Sequence, residues 1–234
     1  GTIRTGAEVR EIVVENGRAV GVRTAEGELR ADLVVSNADP GHTYGSLLAD
    51  APRKRWNDRK LARTDWSMSC FLLYIGTKRQ YPKLEHHTLI LTERYKGLLK
   101  DIFDKKTLPA DFSMYLHAPT RSDPSMAPEG GESMYVLVPV ANQRSGLDWS
   151  ALEDSFADTI IDFLEEWGLD DLREEMEVLH VFTPEDFETE LNATWGNAFA
   201  IEPKFTQTAW FRPQNRSEDV DALYLVGAGT HPGA

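Results

Sequence analysis

The apolar run Ala222-Leu223-Tyr224-Leu225-Val226 opens directly into Gly227-Ala228-Gly229-Thr230-His231-Pro232-Gly233-Ala234. An uninterrupted apolar run of this length reads as a strand buried on both faces. Glycines at its carboxyl end let a second backbone or a ligand approach closely. In open α/β sheets that edge is where ligands bind, usually with a helix amino terminus behind the turn to hold phosphate. The same residues also suit a plain strand-exit turn, and the glycines alone do not choose between the two.

With 234 residues, 41% hydrophobic and 27% charged, the chain has enough apolar content for one large or two small domains. Lys+Arg 25 against Asp+Glu 38 leave a formal net charge of -13, which opposes non-specific binding to nucleic acid or to an anionic lipid surface. Any membrane contact is therefore expected to be local and peripheral. No run approaches the roughly 18 apolar residues of a spanning helix, and Gly1-Thr2-Ile3-Arg4 leads into strand-like sequence without a signal pattern. The single cysteine, Cys70, excludes an internal disulfide. It is expected to be a buried, unreactive thiol in a reducing, cytoplasmic compartment.

Strand-like sequence runs over 7–14 and 19–24 with Asn16-Gly17 between, a strong hairpin signal, and a third run ends at Val35. The expectation is a β-meander closing on Leu33-Val34-Val35. Pro40-Gly41 breaks the pattern, and 43–49 and 52–62 read as helical. β-prone runs at 67–75, 87–92, 112–117 and 134–140 imply a mixed sheet. One helix stands out. Ser150 and Glu153 form a capping-box pair, Leu152, Phe156, Ile160, Phe163 and Trp167 share one face, and Gly168 supplies the stop. That aromatic stripe is expected to pack on the sheet rather than line a ligand site.

Hydrolytic, phosphoryl-transfer and metal-ligand patterns are absent: there is no HExxH, CxxC, Gly-x-Ser-x-Gly or GxxxxGK. His86 and His87 are adjacent, so on a strand they should point to opposite faces and not share a metal. His117 falls in an apolar strand, and His231 in the terminal turn. No metal is expected, and no catalytic residue is assigned.

Four segments carry a resemblance. They are the terminal glycine turn; Asp111-Phe112-Ser113-Met114-Tyr115-Leu116-His117-Ala118-Pro119-Thr120 with Ser122-Asp123-Pro124-Ser125-Met126-Ala127-Pro128; Gly196-Asn197-Ala198-Phe199 with Glu202-Pro203 and Thr206-Gln207-Thr208-Ala209-Trp210-Phe211-Arg212-Pro213; and Ala31-Asp32-Leu33-Val34-Val35-Ser36-Asn37-Ala38-Asp39-Pro40. In this order they resemble the bacterial-type carotenoid (phytoene) desaturases of the flavin amine-oxidase-like superfamily, over nearly the whole chain.

The resemblance implies an α/β (α+β) chain. Residues 1–39 and 217–234 would form parts of a Rossmann-like FAD domain, and residues 40–216 an inserted substrate domain with a mixed sheet and helices. It implies FAD, with Val9 at the adenine end through its backbone, Asn37 and Ala38 near the dinucleotide, and Gly227, Ala228, Gly229 and Thr230 near the pyrophosphate or ribityl chain. The implied substrate is phytoene or a similar long linear isoprenoid, with a shorter C30 substrate left open.

Two family features lie outside this sequence, a GxGxxG strand and a helix after the glycine turn. The chain is therefore expected to be an internal piece of a longer enzyme, inactive and unable to bind FAD by itself. The competing readings are a non-catalytic module for a hydrophobic ligand or a membrane protein, and a flavin amine oxidase or carotenoid isomerase.

Overall fold

A computed structural model describes residues 1–233. The chain is α+β and divides into two compact units, Gly1–Ser67 with Glu188–Ala234, and Met68–Phe187. The junctions expected at 39/40 and 216/217 fall inside the first unit, where segments 40–67 and 188–216 pack with the flanking sequence.

In the first unit, β1 (Val9–Glu15), β2 (Arg18–Thr24) and β3 (Gly27–Arg30) form an antiparallel meander. Asn16 and Gly17 take φ 49 and 79, the left-handed pair that a two-residue hairpin turn needs. The meander does not close on the next strand as expected. β4 (Val34–Ser36) leaves it and pairs in parallel with β10 (Leu223–Leu225).

Tyr44, Trp56, Trp66, Ile201, Leu223 and Leu225 belong to the buried core of this unit. Tyr44 stacks on Trp56 at 5.9 Å and shares a 3.2 Å hydrogen bond with Ser217. Burial pushes its phenol up to about 12. The first expected helix begins and ends earlier than its pattern, and the second is shorter. Pro40–His42 continues as a π-helix over Thr43–Leu47, and the second helix is only Asp58–Arg63, capped by Asn57. The stretch before it is held away from helical geometry because the Asp219 carboxylate accepts the backbone N–H groups of Lys54, Arg55 and Trp56 at 2.7–2.8 Å.

The second unit is a five-stranded sheet of order β6-β7-β8-β5-β9: β6 (His87–Ile90), β7 (Met114–His117), β8 (Glu132–Val140), β5 (Ser69–Thr77) and β9 (Met176–Phe182). Every pairing is antiparallel, not mixed. Along β8, buried and half-buried residues alternate strictly, the period-2 signature of a sheet with one covered face. The helix Trp149–Trp167 supplies much of the buried cluster that packs with this sheet. Phe71 of β5 meets Trp149 at 5.4 Å and Phe156 edge-on at 4.9 Å.

The expected stripe is core: Phe156 and Ile160 are buried, and Leu152, Phe163 and Trp167 pack against the cluster. Gly168 ends the helix at φ 117. Its start differs from the expectation. Asp148, not Ser150, is the N-cap, accepting from the Ala151 N–H and the Ser150 hydroxyl. Cys70 is buried, and burial pushes its thiol up to about 12, as expected of an inert cysteine. Among the described residues no helix is long and apolar enough to cross a membrane.

Ile160 is 0% exposed at the centre of the helix–sheet contact. Ile160→Ala removes methyl groups from a site that cannot refill, and is expected to cost about 2–5 kcal/mol. A lowered urea midpoint, with an unchanged denaturant slope, is the measurement that checks this.

Candidate functional site

Parallel pairing of β4 with β10 sets Leu225 beside Ser36, so the two carboxyl ends emerge side by side. The terminal strand is not buried on both faces. Leu223 and Leu225 are buried, whereas Tyr224 and Val226 are exposed. Just past the ladder, Gly227 takes φ +94, and a Cβ on it would lie 2.6 Å from the Asn37 side-chain oxygen. A Cβ on Gly229 would lie 2.5 Å from the Pro40 ring and 3.0 Å from Ala200. The first glycine is required by backbone conformation and a close neighbour, the second by close approach alone.

Other side chains lock the turn from behind. Thr230 is buried and donates its hydroxyl to the Gly227 carbonyl at 2.9 Å, while accepting from Asn215 at 3.2 Å. Arg212 is 3% exposed and donates to the Ala228 carbonyl at 2.7 Å and the Ile201 carbonyl at 2.8 Å. Among the described residues its Nε has no hydrogen-bond partner, and it pairs with no carboxylate. Burial pulls its ionisation below the usual guanidinium range.

On the β4 side, Asp39 caps the Pro40 turn through the Gly41 and His42 amides, and also accepts from Thr194 and Asn197. Asn37 is exposed and Ala38 half-buried. The structure therefore gathers Asn37, Ala38, Gly227, Ala228, Gly229 and Thr230 at one strand end. Val9 opens β1, half-buried against the core, and takes no part in this network.

Gly227 and Ala228 remain exposed above the buried Arg212 cation. An open glycine backbone over a positive charge that pairs with no carboxylate among the described residues suits an anionic ligand. Arg212 was not singled out from sequence. Its signal was a lone cation directly behind the apolar pair Trp210-Phe211.

In the second unit the sheet face away from the helix carries a run of rings. Tyr135 lies 6.0 Å from Tyr74, 5.6 Å from Tyr115 and 5.1 Å from His117, and Tyr74 stacks on His180 at 5.8 Å. Burial, reinforced by Tyr115, pushes the Tyr135 phenol up to about 12.

His117 is not isolated in its strand. His86, His87 and His117 lie together, with one ring nitrogen from each inside a 4.8 Å span. The expectation that His86 and His87 face apart fails because His86 sits in a bend before β6, where strand alternation does not apply.

A cleft of about 420 Å³ is lined by Ile90, Leu91, Asp111, Phe112, Phe163 and neighbouring residues. Beside it the chain of Tyr95–Leu99 and the π-helix Lys100–Lys105 buries Leu98 and Ile102 but leaves Tyr95 and Leu99 exposed.

The sequence profile of the flavin containing amine oxidoreductase family matches residues 1–234. The chain belongs to that family. The family is one of flavin-containing oxidoreductases. The chain is 48% identical over its whole length to a neurosporene-forming phytoene desaturase of Cereibacter sphaeroides, covering 46% of it. It is 44% identical, again over the whole chain, to a lycopene-forming phytoene desaturase of a Paracoccus species, covering 47% of that protein. It thus spans about half the length of the curated relatives it matches. A crystal structure of an oxidoreductase from Methanosarcina mazei superposes with a TM-score of 0.56 at 20% identity, over 96% of this chain and 44% of that one, which is a likeness of fold.

The glycine geometry separates two effects. Gly227→Ala and Gly229→Leu both push a side chain into protein neighbours, so each is expected to lower the melting temperature of the flavin-free chain, and flavin retention by the complete enzyme. Thermal unfolding followed by circular dichroism checks this. A Gly229→Leu protein as stable as the parent would mean that the turn is not packed as described.

Proposed function

We propose that this chain is part of an FAD-dependent desaturase that introduces double bonds into phytoene or a similar long linear isoprenoid. The observation that carries the reading is whole-chain similarity, at 44–48% identity, to bacterial enzymes named phytoene desaturases. The residues fit this role. Asn37, Ala38, Gly227 and Ala228 offer backbone and side-chain polar groups at a strand end that a dinucleotide can approach. Thr230 and Arg212 hold that turn in shape, Arg212 adding a positive charge beneath it. Val9 is assigned to the adenine end on family resemblance. When bound, FAD supplies the hydride-accepting chemistry, so no acid, base or nucleophile of this chain is needed for that step.

The substrate would be apolar and would be drawn from lipid. Supporting that, Leu89 and Leu91 are exposed close in sequence to Tyr95 and Leu99, and Lys96, Lys100 and Lys105 stand exposed beside them in an otherwise acidic chain. An apolar patch flanked by lysines is the composition of an interfacial contact. Peripheral membrane association is part of this reading.

Two experiments test it. The complete enzyme, loaded with FAD and given phytoene in lipid vesicles with an electron acceptor, is expected to form polyenes absorbing at longer wavelength. Oxidation of a polar amine with no polyene formed would reassign it to amine oxidation. Separately, Tyr95→Asp with Leu99→Asp is expected to reduce sedimentation with liposomes several-fold while leaving flavin content unchanged. Undiminished sedimentation would remove the membrane contact from the reading.

A further inference from the structure

We propose that His86, His87 and His117 form a binding site for one divalent transition-metal ion of the zinc class. His87 and His117 are direct partners in the antiparallel β6–β7 register, so their side chains rise from the same face of the sheet. Their rings lie 5.3 Å apart and nearly parallel, at 14°. His86 swings in from the bend before β6, its ring 4.3 Å from His87 and 4.8 Å from His117. The Nε2 atoms of His86 and His117 face each other at 2.9 Å. Three imidazole nitrogens around a tetrahedral zinc at about 2.0–2.1 Å sit roughly 3.4 Å apart. The observed cluster needs shifts of only about an ångström to reach that arrangement.

The outer contacts favour the same conclusion. His86 Nδ1 is hydrogen-bonded to the Ser122 hydroxyl at 2.5 Å, and His87 Nδ1 to the Tyr115 hydroxyl at 2.6 Å. Engaging one ring nitrogen with a polar partner orients the ring and leaves the other for an ion, the arrangement typical of metal-binding histidines. Imidazole is a ligand that zinc, nickel, copper and iron accept well, and three of them leave a coordination position open. The net charge of -13 raises the local concentration of cations. An ion here would tie β6, a four-residue edge strand with one partner, to the end of β7. Its role would be to clamp that edge.

The test uses tag-free protein treated with chelator and then titrated with Co²⁺ as an optical probe and with Zn²⁺ by calorimetry. One ion per chain, with a dissociation constant of about 10 μM or tighter, and a rise of several degrees in melting temperature on Zn²⁺ addition are expected. His86→Gln and His87→Gln, both at positions not fully buried, should each weaken binding at least tenfold and abolish the melting shift with unchanged circular dichroism. His180→Gln, on the same sheet but outside the cluster, should bind as the parent does. Absence of saturable binding up to about 1 mM, or equal binding by both cluster variants and the parent, would overturn the proposal.

Discussion

Parallel pairing between β4 and β10 is the constraint on which the glycine turn depends. Antiparallel neighbours can be joined by a two-residue turn, but parallel neighbours need a long crossover. Here the whole of Met68–Phe187 lies in the chain between them. Once the two strands are side by side, both chains leave the ladder in the same direction. Asn37 and Gly227 are then forced into contact, and Pro40 crowds Gly229. The glycines follow from this geometry before any ligand is considered. Arg212 and Thr230 convert the crowded exit into a fixed shape by bonding its carbonyls.

The parts of this architecture written locally in the sequence were legible. Asn16-Gly17 gave the hairpin because those residues tolerate the left-handed conformations it needs. The four- and three-residue spacing of Leu152, Phe156, Ile160, Phe163 and Trp167 gave the long helix, with Gly168 as its stop. Non-local features were not legible. Asp148 and Ser150 both have capping chemistry, and only the chain path chose Asp148. β9 was missed because Glu177 and His180 dilute its apolar pattern, a sequence typical of an edge strand that leaves much of its surface to solvent.

The candidate sites divide in the same way. The glycine turn was readable because an apolar run ending in glycines has few interpretations. Burial of Leu223 and Leu225 on one side only was not, since that depends on what covers each face. The histidine cluster escaped for a related reason. Alternation along a strand predicts side-chain direction only inside the strand, and one residue of bend before β6 brings His86 over its neighbour. Buried charge shows the same dependence on distant partners. Glu132 is 1% exposed, yet receives Arg121, Thr120 and the Tyr81 amide, a set drawn from two separate stretches of chain.

Asp219 has a consequence of its own. Three successive amides converging on one carboxylate make the concave backbone nest that many proteins use to hold phosphate or sulfate from solution. Here the anion is supplied by the chain itself, so the nest is filled as soon as the chain folds. Lys54 to Trp56 are thereby withdrawn from competition for phosphate groups. An anion meeting this unit from solution finds one receptor already occupied from within.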